Sequence, residues 1–332
     1  MKIQHLPLIE KRPLSSIADG RPATLLTTEP VWHLTKDTID INPKRTIYVD
    51  RATVDYMDGL IPLCEGEVVY GVGGGLAIDA AKYVASKCEM PLIAVPTILS
   101  TDAFLTDATG VRVGGCVRYL SSKPPELVIV DIDVLRSAPP AMRASGAADV
   151  LSIATGMWDW QEAERLGKNP PDHHVTPQAI EIGKAILQTL LDNAREIGKG
   201  TPEGLTILLE LLCMEVQLCY LCGHSRVEEG SEHHFVYALE NRLTGHALHG
   251  DLVGLGILLM SSLQSQTWHR YRHALDCLNI NYRPAAVTTE AIIDTLVSLF
   301  DYVHHHQLPY TIVAGLAITQ DVAEATVAAV LD

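Results

Sequence analysis

The chain has 332 residues, which at roughly 150 residues per domain suits two domains or one large one. Asp and Glu number 40 against 25 Lys and Arg, a net charge of −15, so phosphate backbones and anionic lipid are repelled and nucleic acid is not an expected partner. Hydrophobic residues make up 47% and charged residues 20%, too apolar for a disordered chain.

No unbroken apolar run reaches the roughly 20 residues that span a bilayer, so no membrane insertion is expected. The opening MKIQHLPLIEKRPLSS carries no apolar stretch with a cleavage site. Along the first 140 residues, ATLLTT (23–28), RTIYVD (45–50), EVVYGVG (67–73), PLIAVPT (91–97) and ELVIVD (126–131) read as short buried strands. Helical patterns lie between several of them, notably LAIDAAKYVASKC (76–88). Alternating strands and helices predict a parallel sheet covered on both faces, an α/β Rossmann-like domain over 1–143.

The glycine cluster Gly71-Val72-Gly73-Gly74-Gly75 leaves one strand and opens a helix. Glycines there let backbone N–H groups approach a pyrophosphate, and the helix N-terminus adds partial positive charge. Leu76 stands where the dinucleotide fingerprint has its third glycine, and no Gly-Lys-Ser/Thr follows as in a P-loop. A tight turn with no ligand fits the cluster as well. Asp79 is expected in the first helical turn, where the dipole favours a carboxylate. The stretch Pro96-Thr97-Ile98-Leu99-Ser100-Thr101-Asp102 follows a strand, where hydroxyls point into the ligand crevice of a parallel sheet. It also reads as an ordinary polar loop.

From Gly146 the segments are long, with apolar residues recurring at three and four, and an all-helical domain is expected over 144–332. The stretch 167–177, with three prolines, is a loop. The seven cysteines are scattered and odd in number, which fits reduced thiols in a cytoplasmic protein. Cys219 and Cys222 lie in the apolar run LLELLCMEVQLCYLC and read as core thiols, because a closed zinc site needs four ligands. Asp149 follows Gly146-Ala147-Ala148 at a helix start, His233 and His234 sit in GSEHH, and His246 and His249 sit in GHALHGD. One carboxylate and two imidazoles suit a catalytic divalent metal with open positions. Fourteen histidines also make chance clusters common, and His304-His305-His306 reads as a solvated helix end.

Taken in order, GVGGG-x-x-x-D-x-A-K, P-T-x-x-S-x-D, an Asp early in the second domain, and E-H followed by H-G-D-x-V-G-x-G resemble the iron-containing alcohol dehydrogenase and dehydroquinate-synthase-like superfamily. The nearest branch is the sn-glycerol-1-phosphate dehydrogenase family, through DWQEAERLGKN (159–169), GSEHHF (230–235), HGDLVGLG (249–256) and LPYTIVAGLAITQDVAEATV (308–327). The resemblance implies that Gly73, Gly74, Gly75 and Asp79 hold NAD(P). It implies that Thr97, Ser100 and Thr106 line the nicotinamide side, and that Asp102 faces substrate. Asp149, His233 and His249 become ligands of one divalent metal, zinc first, with iron(II) or nickel(II) as alternatives. His234 and His246 are left as helix-surface or supporting groups. A homo-oligomer, dimer or larger, and a small-molecule substrate follow from the same resemblance.

This chain departs from the family pattern in places. Ala103, Thr106 and Asp107 replace the glycine, serine and proline of S-x-D-G-x-x-S-P. Tyr237 replaces the second histidine of E-H-x-x-x-H, which approaches substrate; a phenol donates a hydrogen bond but brings no positive charge to a phosphate. The expected chemistry is reversible hydride transfer between a secondary alcohol and the nicotinamide, with dihydroxyacetone phosphate going to sn-glycerol 1-phosphate as the first substrate choice and glycerol or another small polyol second. Asp102, Tyr237 or a metal-bound water are the candidate proton carriers, and the sequence does not decide among them. A sugar-phosphate cyclase (lyase) of the dehydroquinate synthase type is the alternative enzyme, disfavoured because Lys and Arg are sparse around the motifs. A nucleotide-binding regulator would be expected to lose the metal triad, which stands here.

Overall fold

The computed structural model describes residues 4–243 and 245–331; residues 1–3 and 332, the outer ends of the two expected domain ranges, lie outside the described part. Contacts divide the chain into two compact units, residues 5–143 with 200–206, and residues 144–199 with 207 onward and Gln4.

The first unit holds eight strands: β1 (Leu8–Lys11), β2 (Ala18–Thr27), β3 (Asp40–Tyr48), β4 (Val68–Gly73), β5 (Leu92–Pro96), β6 (Ala108–Val113), β7 (Cys116–Ser121) and β8 (Leu127–Val130). Its helices are α1 (Glu29–Thr35), α2 (Val54–Leu60), α3 (Gly75–Lys87), α4 (Ile132–Ser137) and α5 (Pro140–Arg143). Six strands form one sheet in the order β1-β8-β5-β4-β2-β3, every neighbouring pair parallel. All five strands expected from sequence are in it. β4 is buried along its whole length, as a strand covered on both faces must be. The chain steps from β2 outward to β3 on one side and from β4 to β5 on the other, so the order reverses between β2 and β4. That reversal is where open parallel sheets bind ligands, outside the carboxyl ends of the strands. Gly73 stands opposite Pro96, and Thr27 opposite Val72, so the glycine loop, the β2 end and the Thr97 segment share that edge.

The second unit contains helices α6 (Ala147–Arg165), α7 (Pro177–Lys199), most of α8 (Pro202–Cys222), α9 (Ser231–Leu239), α10 (His249–Leu263), α11 (Trp268–Leu278), α12 (Thr289–His305), α13 (Ile312–Gly315) and α14 (Gln320–Leu331). α7, α11 and α12 are amphipathic. α10 buries nearly every residue from Gly250 to Ser261 and serves as the apolar centre of the bundle.

By length and composition α8 is apolar enough to cross a membrane. Glu210 and Glu215 interrupt its run, so a search for unbroken apolar stretches passes over it. Half of its apolar window is buried in the protein, and Glu215 is fully buried, the pattern of a core helix. All seven cysteines are free thiols.

Candidate active site

Three helices of the second unit converge on one cluster. Asp149 lies in the first turn of α6, His233 in the first turn of α9, and His249 opens α10. A ligand atom from each falls within 4.8 Å of the other two. Asp149 Oδ1 is 3.4 Å from His249 Nε2 and 4.0 Å from His233 Nε2, and the two imidazole centroids are 5.6 Å apart. Glycines permit the convergence. A Cβ on Gly250 would stand 2.2 Å from the Ser145 carbonyl oxygen, so α10 starts against the segment that opens α6. A Cβ on Gly230 would fall 2.7 Å from the Gly156 Cα, so α9 starts against the middle of α6.

The donors fit a divalent metal. Donors around a tetrahedral ion with bonds near 2.1 Å stand ~3.4 Å apart, close to the Asp149–His249 separation. Asp149 Oδ1 is buried and accepts no hydrogen bond among the described residues, an acceptor aimed at the gap between the imidazoles. His233 Nδ1 is 2.9 Å from Glu232 Oε1, which leaves Nε2 toward Asp149. Burial works against a charged His233, but the Glu232 carboxylate outweighs it and, with Glu229 and Asp149, raises the imidazole to about 9. The cluster thus attracts positive charge.

Tyr237 stands one turn beyond His233, its ring centroid 6.1 Å from the imidazole. It is buried, and its hydroxyl donates to Glu229, whose other oxygen accepts from Ser225 Oγ at 2.7 Å. Around this cluster lies a second layer of buried charge. Asp159 Oδ2 accepts from the Ser231 amide at 2.8 Å and the Ser231 hydroxyl at 2.6 Å, and Oδ1 from the Ile312 amide at 2.7 Å. Burial, then the nearby Glu232 charge, pushes Asp159 up to about 6. Arg226, almost fully buried, donates to the Tyr310 carbonyl at 2.6 Å and is the cation facing Asp159, Glu232 and Glu229.

In the first unit, α3 begins at Gly75 with Gly74 as its cap residue. A Cβ on Gly74 would stand 2.8 Å from Ile98 Cδ1, and one on Gly75 2.9 Å from Thr101 Oγ1, so the glycine loop lies directly against the 97–102 segment. Thr97 donates its amide to the Gly73 carbonyl at 3.0 Å and is buried; Ser100 and Asp102 are half-buried, and the Asp102 carbonyl accepts from the Leu105 amide at 2.8 Å. These loop residues therefore gather at one edge of the sheet.

One expectation needs correction. Asp79 lies in the second turn of α3, not the first, and Lys82 rather than the helix dipole meets its charge, at 2.9 Å. Of the two roles open to His234, burial removes the helix-surface one and leaves the supporting one: its Nδ1 is 3.4 Å from Thr311 Oγ1, and burial drives it down to about 3. His246 is exposed. Sequence reasoning gave no role to Lys82, Glu232, Glu229 or Arg226. Position was the available signal for two of them: Lys82 is three residues after Asp79 on a helix, and Glu232 directly precedes His233.

A glycine loop at the switch point of a parallel sheet, together with a helical unit carrying an Asp-His-His cluster, defines the iron-containing alcohol dehydrogenase and dehydroquinate-synthase-like superfamily. The profile described as iron-containing alcohol dehydrogenase matches residues 27–139. The solved 2-epi-5-epi-valiolone synthase from Streptomyces hygroscopicus, with NAD+ and Zn2+ bound, shares the fold at TM-score 0.68 and 17% identity, over 99% of this chain and 97% of that one. Glycerol-1-phosphate dehydrogenase [NAD(P)+] from Aeropyrum pernix is 31% identical over 78% of this chain and 72% of its own. The enzyme of the same description from Methanosphaerula palustris is 31% identical over 67% of this chain, a match spanning 61% of that enzyme's length. The chain belongs to the glycerol-1-phosphate dehydrogenase family of NAD(P)-linked oxidoreductases.

Proposed function

We propose that the chain interconverts a small polyol or its phosphate and the matching ketone at the expense of NAD(P), with dihydroxyacetone phosphate and sn-glycerol 1-phosphate as the first pair. The observation that carries this reading is the triad: three ligand atoms within 4.8 Å of one another in a chain of this family. Asp149, His233 and His249 hold the metal. Zinc is assigned first, for two imidazoles and a carboxylate; iron(II), which the family description names, and nickel(II) accept the same donors. When bound, a divalent cation supplies Lewis acidity to the substrate oxygen and the nicotinamide gives or takes the hydride.

The chain's own groups do the rest. The amides at Gly73–Gly75 and the α3 N-terminus bind the pyrophosphate, and Asp79 shapes the same loop. Thr97 and Ser100 line the nicotinamide side, and Thr106 joins them with its hydroxyl fixed by Lys82 at 3.0 Å. Asp102 faces substrate. Tyr237 holds a proton on its phenol oxygen, directed at Glu229, so that pair and Asp102 are the groups that move the proton which accompanies the hydride.

A second substrate reading, an unphosphorylated polyol, is favoured by one observation. Tyr237 gives its one phenol proton to the Glu229 carboxylate, so the pair offers acceptor oxygens and a negative charge where a phosphate calls for a cation. A cytoplasmic setting fits the seven free cysteines. A homo-oligomer fits the exposed Met214 and Leu221 on the apolar helix α8.

The test is a substrate screen on purified, metal-loaded protein, following NAD(P)H absorbance with dihydroxyacetone phosphate, dihydroxyacetone and other small ketones. Turnover of the phosphate far above that of dihydroxyacetone supports the first reading, and the reverse supports the second. Conversion of a sugar phosphate without net NAD(P)H consumption would replace both with a cyclase.

A further inference from the structure

Glu232 takes no direct part in the chemistry above, yet it is fully buried beside the triad. Its Oε1 accepts from the Gly230 amide at 2.6 Å and stands 2.9 Å from His233 Nδ1. The amide fixes where that oxygen sits, because the acceptor belongs to the first turn of the helix that also carries His233. An ionised carboxylate has no proton to give, so the proton of this contact is on Nδ1. With Nδ1 turned to Glu232, Nε2 is the ring atom that faces the triad, 4.0 Å from Asp149 Oδ1. The opposite tautomer would set the Nδ1 lone pair against the lone pairs of the buried Glu232 Oε1.

The charge of Glu232 is only partly answered by protein groups. Oε2 is buried and accepts no hydrogen bond among the described residues. Asp159 is close, since Glu232 Oε2 and Asp159 Oδ2 would each lie 2.9 Å from a Cβ on Gly230. Arg226 is the cation that acts on both carboxylates. Four carboxylates, Asp149, Asp159, Glu229 and Glu232, outnumber the Arg226 guanidinium and the His233 ring that face them, and a buried anion persists only where positive charge compensates it. A divalent cation held by Asp149, His233 and His249 would supply that charge, felt by Glu232 through the His233 ring.

We propose that Glu232 is a positioning residue for the metal: it selects the His233 tautomer that presents Nε2, and its negative charge tightens the hold of the triad on a divalent cation. This rests on the reading of Asp149, His233 and His249 as metal ligands.

The experiment uses metal-stripped full-length protein titrated with Zn2+ against a chromophoric chelator, for wild type, Glu232→Gln and Glu232→Asp. Glu232→Gln keeps the shape and an acceptor but removes the charge; Glu232→Asp keeps the charge and withdraws it by a methylene. Each is expected to weaken Zn2+ affinity 10–100-fold, in the range for groups that orient a ligand. Thermal unfolding separates this role from a packing role. The metal-free Gln variant should melt at or above metal-free wild type, and only the rise on adding Zn2+ should shrink. Equal affinity in all three proteins overturns the proposal, as does an equal loss of melting temperature with and without metal.

A measurement on wild type alone covers a variant that does not fold. In zinc-loaded protein with 15N-labelled histidine, His233 should show a protonated Nδ1 and a metal-bound Nε2; metal on Nδ1 overturns the proposal. Wild-type protein that takes up no Zn2+ would instead remove the metal reading beneath it, an outcome distinct from unchanged affinity in the variants.

Discussion

Lys82 and Asp79, one turn apart on α3, form an ion pair of 2.9 Å in which the lysine side chain is wholly buried. The same ammonium donates to Thr106 Oγ1 at 3.0 Å and to the Ala108 carbonyl. One buried cation therefore ties the helix behind the glycine loop to the segment that enters β6. Burial raises the Asp79 carboxyl and the Lys82 charge opposes that rise, so the carboxylate depends on its partner. Removing one member of a buried pair leaves the other uncompensated, at a cost of about 3–5 kcal/mol. Lys82→Met should lower stability by that order in urea unfolding. Adding Asp79→Asn should restore part of it, because the orphaned charge is gone. Equal stability of Lys82→Met and wild type would show that the pair contributes nothing.

The triad gives a second prediction. His249 opens α10 and its side chain is about one-third exposed, so truncation there creates no core cavity. His249→Ala should keep its far-UV circular dichroism and lose most bound metal. Turnover should fall more than about 100-fold, beyond the range attached to residues that only orient a ligand. Full metal occupancy with normal turnover would remove His249 from the metal site.

The α/β half was readable because its central strands are two-sided. β4, β5 and β8 sit between helical layers and appear as short runs of Val, Ile and Leu that end in glycine, proline or aspartate. β1 (LIEK) lies at the sheet edge and carries two charges, and the β6–β7 hairpin places Arg112 and Arg118 among its apolar residues, so neither stands out from a polar loop. The triad was legible through motif order, since 84 residues separate Asp149 from His233 and no local periodicity connects them. Lys82 and Glu232 were visible as the lysine of GVGGG-x-x-x-D-x-A-K and the glutamate of E-H, but their burial was not. A lysine and a glutamate on amphipathic helices ordinarily face water, and only the packed structure shows these two with no exposure. The choice left open for His234, helix surface or supporting group, is likewise settled only by its burial.

Acid sensitivity gives a third prediction. Burial, with lesser repulsion from His173 and Arg226, drives His224 down to about 4, and burial drives His234 down to about 3. Both fold neutral, while in the unfolded chain each takes up a proton near its ordinary 6.5. Their contribution is present above pH 6.5 and is lost as pH falls toward 4 and 3. Asp159, pushed up to about 6, has the opposite sign: its contribution is present below the ordinary aspartate range and is lost as pH rises through 6. A variant compared with wild type at each pH isolates one group. His224 packs 4.9 Å from the Trp160 ring, so tryptophan fluorescence can follow unfolding close to it. Between pH 7.5 and 4.5, His224→Phe should lose less stability than wild type, by about 1 kcal/mol after allowance for the partial exposure of the ring. Parallel pH profiles for the two proteins would show that His224 titrates no differently folded than unfolded.

Cofactor choice turns on Glu29. It is the first residue of α1, directly after Thr28 at the carboxyl end of β2, beside the switch point of the sheet. A carboxylate turned toward a ribose at that edge would accept from its hydroxyls and repel a 2′-phosphate. The Glu29 side chain is instead 69% exposed and leans along α1 toward His33, Oε1 to Nε2 3.8 Å. At that exposure its field is screened by water and salt, and Thr28 brings no charge. Neither Glu29 nor Thr28 fixes a negative charge against a 2′-phosphate, so NADPH and NADH should serve with kcat/KM values within about tenfold, a difference of about 1.4 kcal/mol. Glu29→Gln should leave that ratio nearly unchanged, because removing a screened charge costs little. Steady-state kinetics with each cofactor on the same metal-loaded preparation decide the point. A hundredfold or larger preference for NADH, relieved by Glu29→Gln, would mean that the carboxylate swings inward when cofactor binds and that this corner reads the 2′ position.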